Sequence, residues 1–154
     1  MSADMQMVGF QVGRETFAVP IAQVHEILRV PDIAPVPEAP AHVEGVMNLR
    51  GKIISVVDLR KRFGERNLER GRRSRVMVVE VDQRKVGLIV DSASEVFRLA
   101  PSQVEPPPHA VSEGEGGAGY VIGVGKLNGR IVLLVDLARV LRRAEAPPRA
   151  SAAS

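Results

Sequence analysis

With 154 residues, no cysteine and a net charge of +3, the chain has the size of one ordinary domain or of two small lobes sharing a core. The missing cysteines exclude a disulfide framework, a thiolate metal site and a cysteine nucleophile. No N-terminal apolar run follows a basic patch, and none approaches the roughly 18–20 residues of a membrane span, so the expectation is a soluble cytoplasmic protein with no direct membrane insertion.

Strand signals come first along the chain. Residues 5–12 and 15–19 are β-rich runs joined at Gly13-Arg14, and 24–30 (VHEILRV) is a further extended segment. Four prolines between Pro31 and Pro40 make the next stretch a loop or extended edge, because proline removes a backbone donor and fixes φ. Val46–Leu49 and Ile53–Val57 flank Arg50-Gly51 as a second hairpin. Asp58 is placed to cap a short helix over Leu59–Phe63, stopped by Gly64. Residues 60–75 hold eight Arg or Lys against Glu65 and Glu69, read as a solvated helix end and linker. With no Trp, one Tyr and four Phe, a base-stacking surface for nucleic acid is poorly supplied.

The second half repeats this order. Val76–Val81 and Lys85–Val90 flank a polar turn, Glu95–Leu99 is extended, and 112–119 (SEGEGGAG) is a flexible loop by composition. Tyr120–Leu127 and Ile131–Val135 flank Asn128-Gly129, a type I′ hairpin signal, and Asp136 repeats the cap position before Leu137–Leu141. The tail, 144–154, is expected to be disordered. The echo is literal: GVMNLRGKIISVVDL at 45–59 returns as GVGKLNGRIVLLVDL at 123–137, with eight of fifteen positions identical. A thinner echo aligns 17–28 with 86–97 and sets Glu26 against Glu95. Each half is therefore about five short strands ending in a helical turn, which argues for small paired barrels.

Neither copy carries a catalytic set. His25, His42 and His109 lack metal-ligand spacing, and capping explains Asp58 and Asp136 without acid–base chemistry. No cofactor or metal is expected, and the chain is not read as an enzyme. The informative anomaly is Arg50. It occupies the place of Asn128 in a turn that favours positive φ, where Arg is a poorer choice, and local rules tend to be broken where function requires it. Glu26, in the extended run after the opening hairpin, is a candidate ion-pair partner for Arg50.

The run VHEILRV…VPEAPAHVEGVMNLRGKIISVVDLRKRFG at 24–64, with VGLIVDSASEV at 86–96 and IGVGKLNGRIVLLVDL at 122–137, closely resembles the CheW family of chemotaxis coupling proteins. The likeness spans about residues 5–143. It implies a mainly β fold: two intertwined five-stranded SH3-like barrel lobes, with a hydrophobic groove between them and short helices after Asp58 and Asp136. The lobes are expected at about 15–65 and 75–143, with 5–14 shared. The resemblance also implies a non-enzymatic adaptor, cytoplasmic and recruited to membrane-associated arrays. Its partners would be the cytoplasmic tip of methyl-accepting chemotaxis receptors and the regulatory domain of the histidine kinase CheA. On the family's motif, Val24, Glu26, Ile27, Gly45, Asn48 and Arg50 carry over as receptor-facing, and Val46 joins them as a candidate apolar anchor. The kinase-facing surface is expected on the second lobe, and Glu44 departs from the basic or neutral residue expected before Gly45. The alternatives are an adaptor of a pilus- or gliding-motility pathway and, less favoured, a basic β-barrel nucleic-acid-binding module.

Overall fold

Two sheets account for nearly all of the regular structure in the computed structural model, which describes residues 4–65, 69, 71–108 and 120–145. The first half supplies β1 (Met5–Val12), β2 (Glu15–Pro20), β3 (Val24–Arg29), β4 (Val43–Leu49) and β5 (Lys52–Asp58), then helix α1 (Leu59–Arg62). The second supplies β6 (Arg75–Val81), β7 (Arg84–Val90), β8 (Ser92–Leu99), β9 (Val104–Glu105), β10 (Val121–Leu127) and β11 (Arg130–Val135), then helix α2 (Leu137–Glu145).

The sheets do not follow the halves. One has the order β8-β1-β2-β11-β10-β9 and the other β3-β6-β7-β5-β4. Each half thus lends its opening hairpin to the sheet built by the other. This corrects the lobe limits of 15–65 and 75–143: β2 lies with the second half's strands and β6–β7 with the first half's. The joins are equivalent parallel pairings, Phe17 with Leu133 and Val86 with Ser55, at the two offsets along which the sequence repeats. The first sheet has a sixth strand, the two-residue β9 on β10. In the second sheet the proline-rich segment makes only a single bridge, Ala34 to Val46.

The lent hairpins explain their own composition. Strands buried on both faces read as continuous apolar runs, and the two-residue side-chain period divides them between two cores. On β6, Val76 and Val78 enter one sheet's interior, with Met47, Ile54, Val56 and Ile89. Met77, Val79 and Val81 face a central core shared by both sheets. On β1 and β2, Met7 and Ala18 enter the other interior, with Leu99, Val132 and Leu134. Val8, Phe10, Val12, Phe17 and Val19 join the central core. Fully burying each such side chain contributes about 1.5–3 kcal/mol, so the middle of the molecule, where the lent hairpins meet, is its most densely stabilised part. Phe10, Phe17, Phe63 and Tyr120 form a continuous ring ladder there, with centroids 5.9, 4.8 and 4.7 Å apart. The last contact joins the end of α1 to the entry of β10.

The hairpin signals hold in detail. Arg50-Gly51 has φ of 50° and 86°, and Asn128-Gly129 has 50° and 80°, so the two turns share one geometry. Asp58 caps α1, accepting from the Arg60 backbone N–H, and Asp136 accepts from that of Ala138 at 3.0 Å. Two expectations need correction. Helix α2 runs through Glu145, so residues 144 and 145 belong to it and not to a disordered tail. Arg60, assigned by composition to a solvated linker, is among the most deeply buried side chains. The glycine-rich loop at 112–119, His109 and residues 146–154 lie outside the described residues.

Candidate functional site

The site begins with a bulge. β3 pairs with β6 through Val24–Val79 and Glu26–Val78, leaving His25 as the extra residue between them. A bulge re-aims the side chains that flank it. Val24 turns inward and packs against the central core. His25 stays exposed, 4.0 Å from the Glu26 carboxylate. Glu26 meets the β4–β5 turn, where the Arg50 guanidinium grips it as a fork: Nη2 donates to Oε1 at 2.9 Å and Nη1 to Oε2. Arg50's hydrogen bonds and charge hold the Glu26 carboxyl below the usual glutamate range, and Glu26 raises Arg50 in turn. The Arg50 side chain stays 71% exposed while Glu26 is 19% exposed, so the guanidinium is the outer, reachable member of the pair.

The other candidates divide by position. Asn48 Oδ1 accepts from the Gly51 N–H at 2.8 Å and so pins the turn that presents Arg50. Gly45 is buried at φ 147°, and a Cβ there would stand 2.0 Å from the Ala34 carbonyl oxygen; its role is close backbone approach. That approach lets Val46 exchange both backbone hydrogen bonds with Ala34 at 2.9 Å. Val46 and Asn48 then line a shallow concavity with Asp32, Ile33, Ala34, Met47 and Ile53. Ile27 is 36% exposed beside Glu26. The structure thus brings Glu26, Asn48 and Arg50 together, sets Val46 and Asn48 on the neighbouring concavity, and places Val24 and Gly45 beneath the surface. Glu44, the unexpected acid, pairs with Lys61 of α1.

Two features escaped the sequence reading. The first is a buried ion network. Arg60 is 1% exposed and binds Asp58, also 1% exposed, through Nε to Oδ1 at 3.0 Å and Nη2 to Oδ2 at 2.9 Å. Its Nη1 reaches the Glu69 carbonyl at 2.8 Å and Asp91 Oδ1 at 3.4 Å. Asp91 Oδ2 in turn accepts from Gly13 N in the β1–β2 turn at 2.7 Å. The network ties α1, the linker, the β7–β8 junction and the first hairpin together, and Asp58 raises Arg60 above its ordinary value by hydrogen bonding. A signal was available: the second copy carries Ala138 where the first carries Arg60, although the Asp and Leu before it repeat.

The second feature is an exposed apolar set at equivalent places. Ile53 and Ile131, each just after its hairpin turn, are both 65% exposed; Ile122 is 50% and Val96 59% exposed. Glu95, the counterpart of Glu26, also takes an arginine, Arg130, at 2.6 Å. The second lobe therefore keeps the acid but takes its arginine from the strand, not from the turn. Among the described residues no group of His, Asp or Glu is placed to hold a metal ion, and no helix is long and apolar enough to cross a membrane.

Residues 6–145 match the family described as CheW-like domain. The chain is 34% identical to the chemotaxis protein CheW of Treponema pallidum, over 91% of this chain and 84% of that protein. It is 36% identical to the chemotaxis protein CheW of Rhizobium meliloti, over 86% and 84%, and 27% identical to protein FrzA of Myxococcus xanthus, over 88% and 84%. Among solved structures it is similar to the crystal structure of scaffolding protein TtCheW from Thermoanaerobacter tengcongensis, with a TM-score of 0.80, 34% identity and coverage of 87% and 90%. With two sheets that exchange hairpins, a forked Glu26–Arg50 pair on the second and this breadth of similarity, the chain belongs to the CheW-like family of chemotaxis scaffold proteins.

Proposed function

We propose that the chain is a non-enzymatic adaptor that couples the helical tip of a chemoreceptor to a CheA-type histidine kinase, recruited from the cytoplasm to receptor arrays. The observation that carries this reading is Arg50. Two turns share one backbone geometry, and the first holds an arginine at positive φ where the second holds the better-suited Asn128. A residue that fits its backbone poorly, is mostly exposed and is fixed by a forked carboxylate supports a recognition role. A helical tip docks by laying apolar residues into a groove, with charges at the rim setting orientation and encounter. Val46, Ile53 and Ile33 offer the apolar part, Ile27 extends it, and Glu26, Asn48 and Arg50 form the rim. Val24 and Gly45 support this face from beneath. For the kinase we assign the second lobe, where Ile122, Ile131 and Val96 stand exposed.

The test is reconstitution with receptor tips and CheA, reading kinase output. Arg50→Ala is expected to lose receptor binding while retaining kinase binding, and Ile131→Glu to do the reverse. The charge swap Glu26→Arg with Arg50→Glu is expected to recover binding relative to either single change. Intact receptor binding by Arg50→Ala would remove the receptor face from this site.

A further inference from the structure

A hollow beside the linker is lined by arginines that have no acidic partner among the described residues. Arg29 ends β3 and Arg75 opens β6, and the two stand directly opposite one another in the antiparallel register. Like charges at facing positions repel and weaken the pairing. Arg72 adds a third guanidinium to the same hollow, about 420 Å³ in volume and bordered also by Val30, Gly71 and Ser74. Among the described residues no carboxylate pairs with Arg29, Arg72 or Arg75.

The rim is built, not loose. Ser74 is 5% exposed, and its Oγ accepts from Gly71 N at 2.9 Å while its own N–H donates to the Gly71 carbonyl at 3.1 Å. Arg75 Nη1 donates to the carbonyls of Arg72 and Ser74 at 2.7 and 2.8 Å, which fixes one edge of that guanidinium. The Ser74 hydroxyl, already an acceptor, keeps a proton to donate, and the guanidiniums retain further N–H groups. Among the described residues, three cations, one hydroxyl and no carboxylate line this concave site, which matches the charge and donor geometry of a tetrahedral dianion better than a lone carboxylate.

We infer that this hollow is a phosphoryl-binding site, taking free phosphate or a phosphomonoester, or the headgroup of an anionic phospholipid. The bound dianion offsets the Arg29–Arg75 repulsion and fastens the 71–75 segment to β3, the strand that carries Glu26.

The test uses the full chain at low ionic strength, titrated with inorganic phosphate against sodium chloride of equal ionic strength. The expected result is saturable amide shifts at Arg29, Gly71 and Ser74 and a higher melting temperature with phosphate alone. Arg29→Gln with Arg72→Gln alters two exposed side chains and is expected to weaken binding roughly tenfold or more, the effect of losing a charge-assisted hydrogen bond. The same variant is expected to melt no lower than the parent without phosphate, because repulsion is relieved. An equal response to chloride, or an unchanged response in the variant, overturns the site. A second arm uses phosphatidic acid vesicles. Sedimentation that free phosphate and the double variant both abolish supports the site and assigns the headgroup as a source; sedimentation that neither affects shows adsorption elsewhere and overturns the lipid source.

Discussion

Replacing Arg60 by Met keeps most of the apolar stem and deletes the guanidinium. Asp58 then loses both of its side-chain partners, at 3.0 and 2.9 Å, and keeps only the Arg60 backbone N–H. Its carboxylate remains 1% exposed, and the Glu69 carbonyl and Asp91 lose a donor as well. Removing one member of a buried pair costs about 3–5 kcal/mol, because the remaining charge is uncompensated. For a domain of this size that corresponds to a fall in Tm of roughly 6–20 °C. Urea unfolding is the direct assay, with the midpoint read at unchanged m. The double variant Asp58→Asn, Arg60→Met keeps an oxygen for the helix cap while removing the stranded charge, and is expected to recover at least half of the loss. A loss below about 1 kcal/mol, the value of an exposed pair, would refute the reasoning. So would a double variant no more stable than the single one, since the cost would then not come from the Asp58 carboxylate.

Gly45→Ala places a methyl against the Ala34 carbonyl at a φ of 147°, and is expected to cost about 2–6 kcal/mol in thermal unfolding while breaking the Ala34–Val46 bridge. Glu26 has a folded pKa depressed first by the Arg50 hydrogen bond. Its stabilising contribution is therefore full above the unfolded glutamate value and is lost as pH falls through the folded one. Arg50→Ala is expected to return the Glu26 titration, followed by carboxyl NMR, to the ordinary range, and an unmoved titration contradicts the pair. Tyr120 is the chain's one tyrosine and there is no Trp, so phenolate absorbance reports it alone. Burial, partly opposed by Arg62, lifts its pKa. The midpoint is expected above the ordinary tyrosine value in the native chain and at that value in urea, with native stability falling as pH rises past the unfolded value.

The hairpins, caps and positive-φ turns were legible because each depends on residues close in sequence: Asn128-Gly129 for the turn, Asp58 two residues before its donor, proline for the edge. The Glu26–Arg50 pair was legible for another reason, since Arg50 breaks a local preference that its sister position obeys. The exchange of hairpins was not legible strand by strand. Pairing Phe17 with Leu133 or Val86 with Ser55 is a long-range choice, and the apolar runs of β6 and β7 reveal burial on two faces without naming the partner. Arg60 was misplaced because averaging charge over 60–75 hides an arginine that two carboxylates, Asp58 and Asp91, draw inside. The exposures of Ile53 and Ile131 were hidden too, because period-two alternation does not tell which face of a curled sheet looks outward.

The hairpin exchange bears on how such a chain arose. A single half could not close its own sheet: it would present a strand edge awaiting the hairpin of another copy, and would reach a folded state only as a reciprocally swapped pair. The linker between α1 and β6 makes that encounter intramolecular, replacing a concentration-dependent association with the high effective concentration of a tether. Covalent fusion also released the two copies from having to be identical. One position could then become Arg50 in the first turn while its twin became Asn128, a difference unavailable to a symmetric dimer of one gene product.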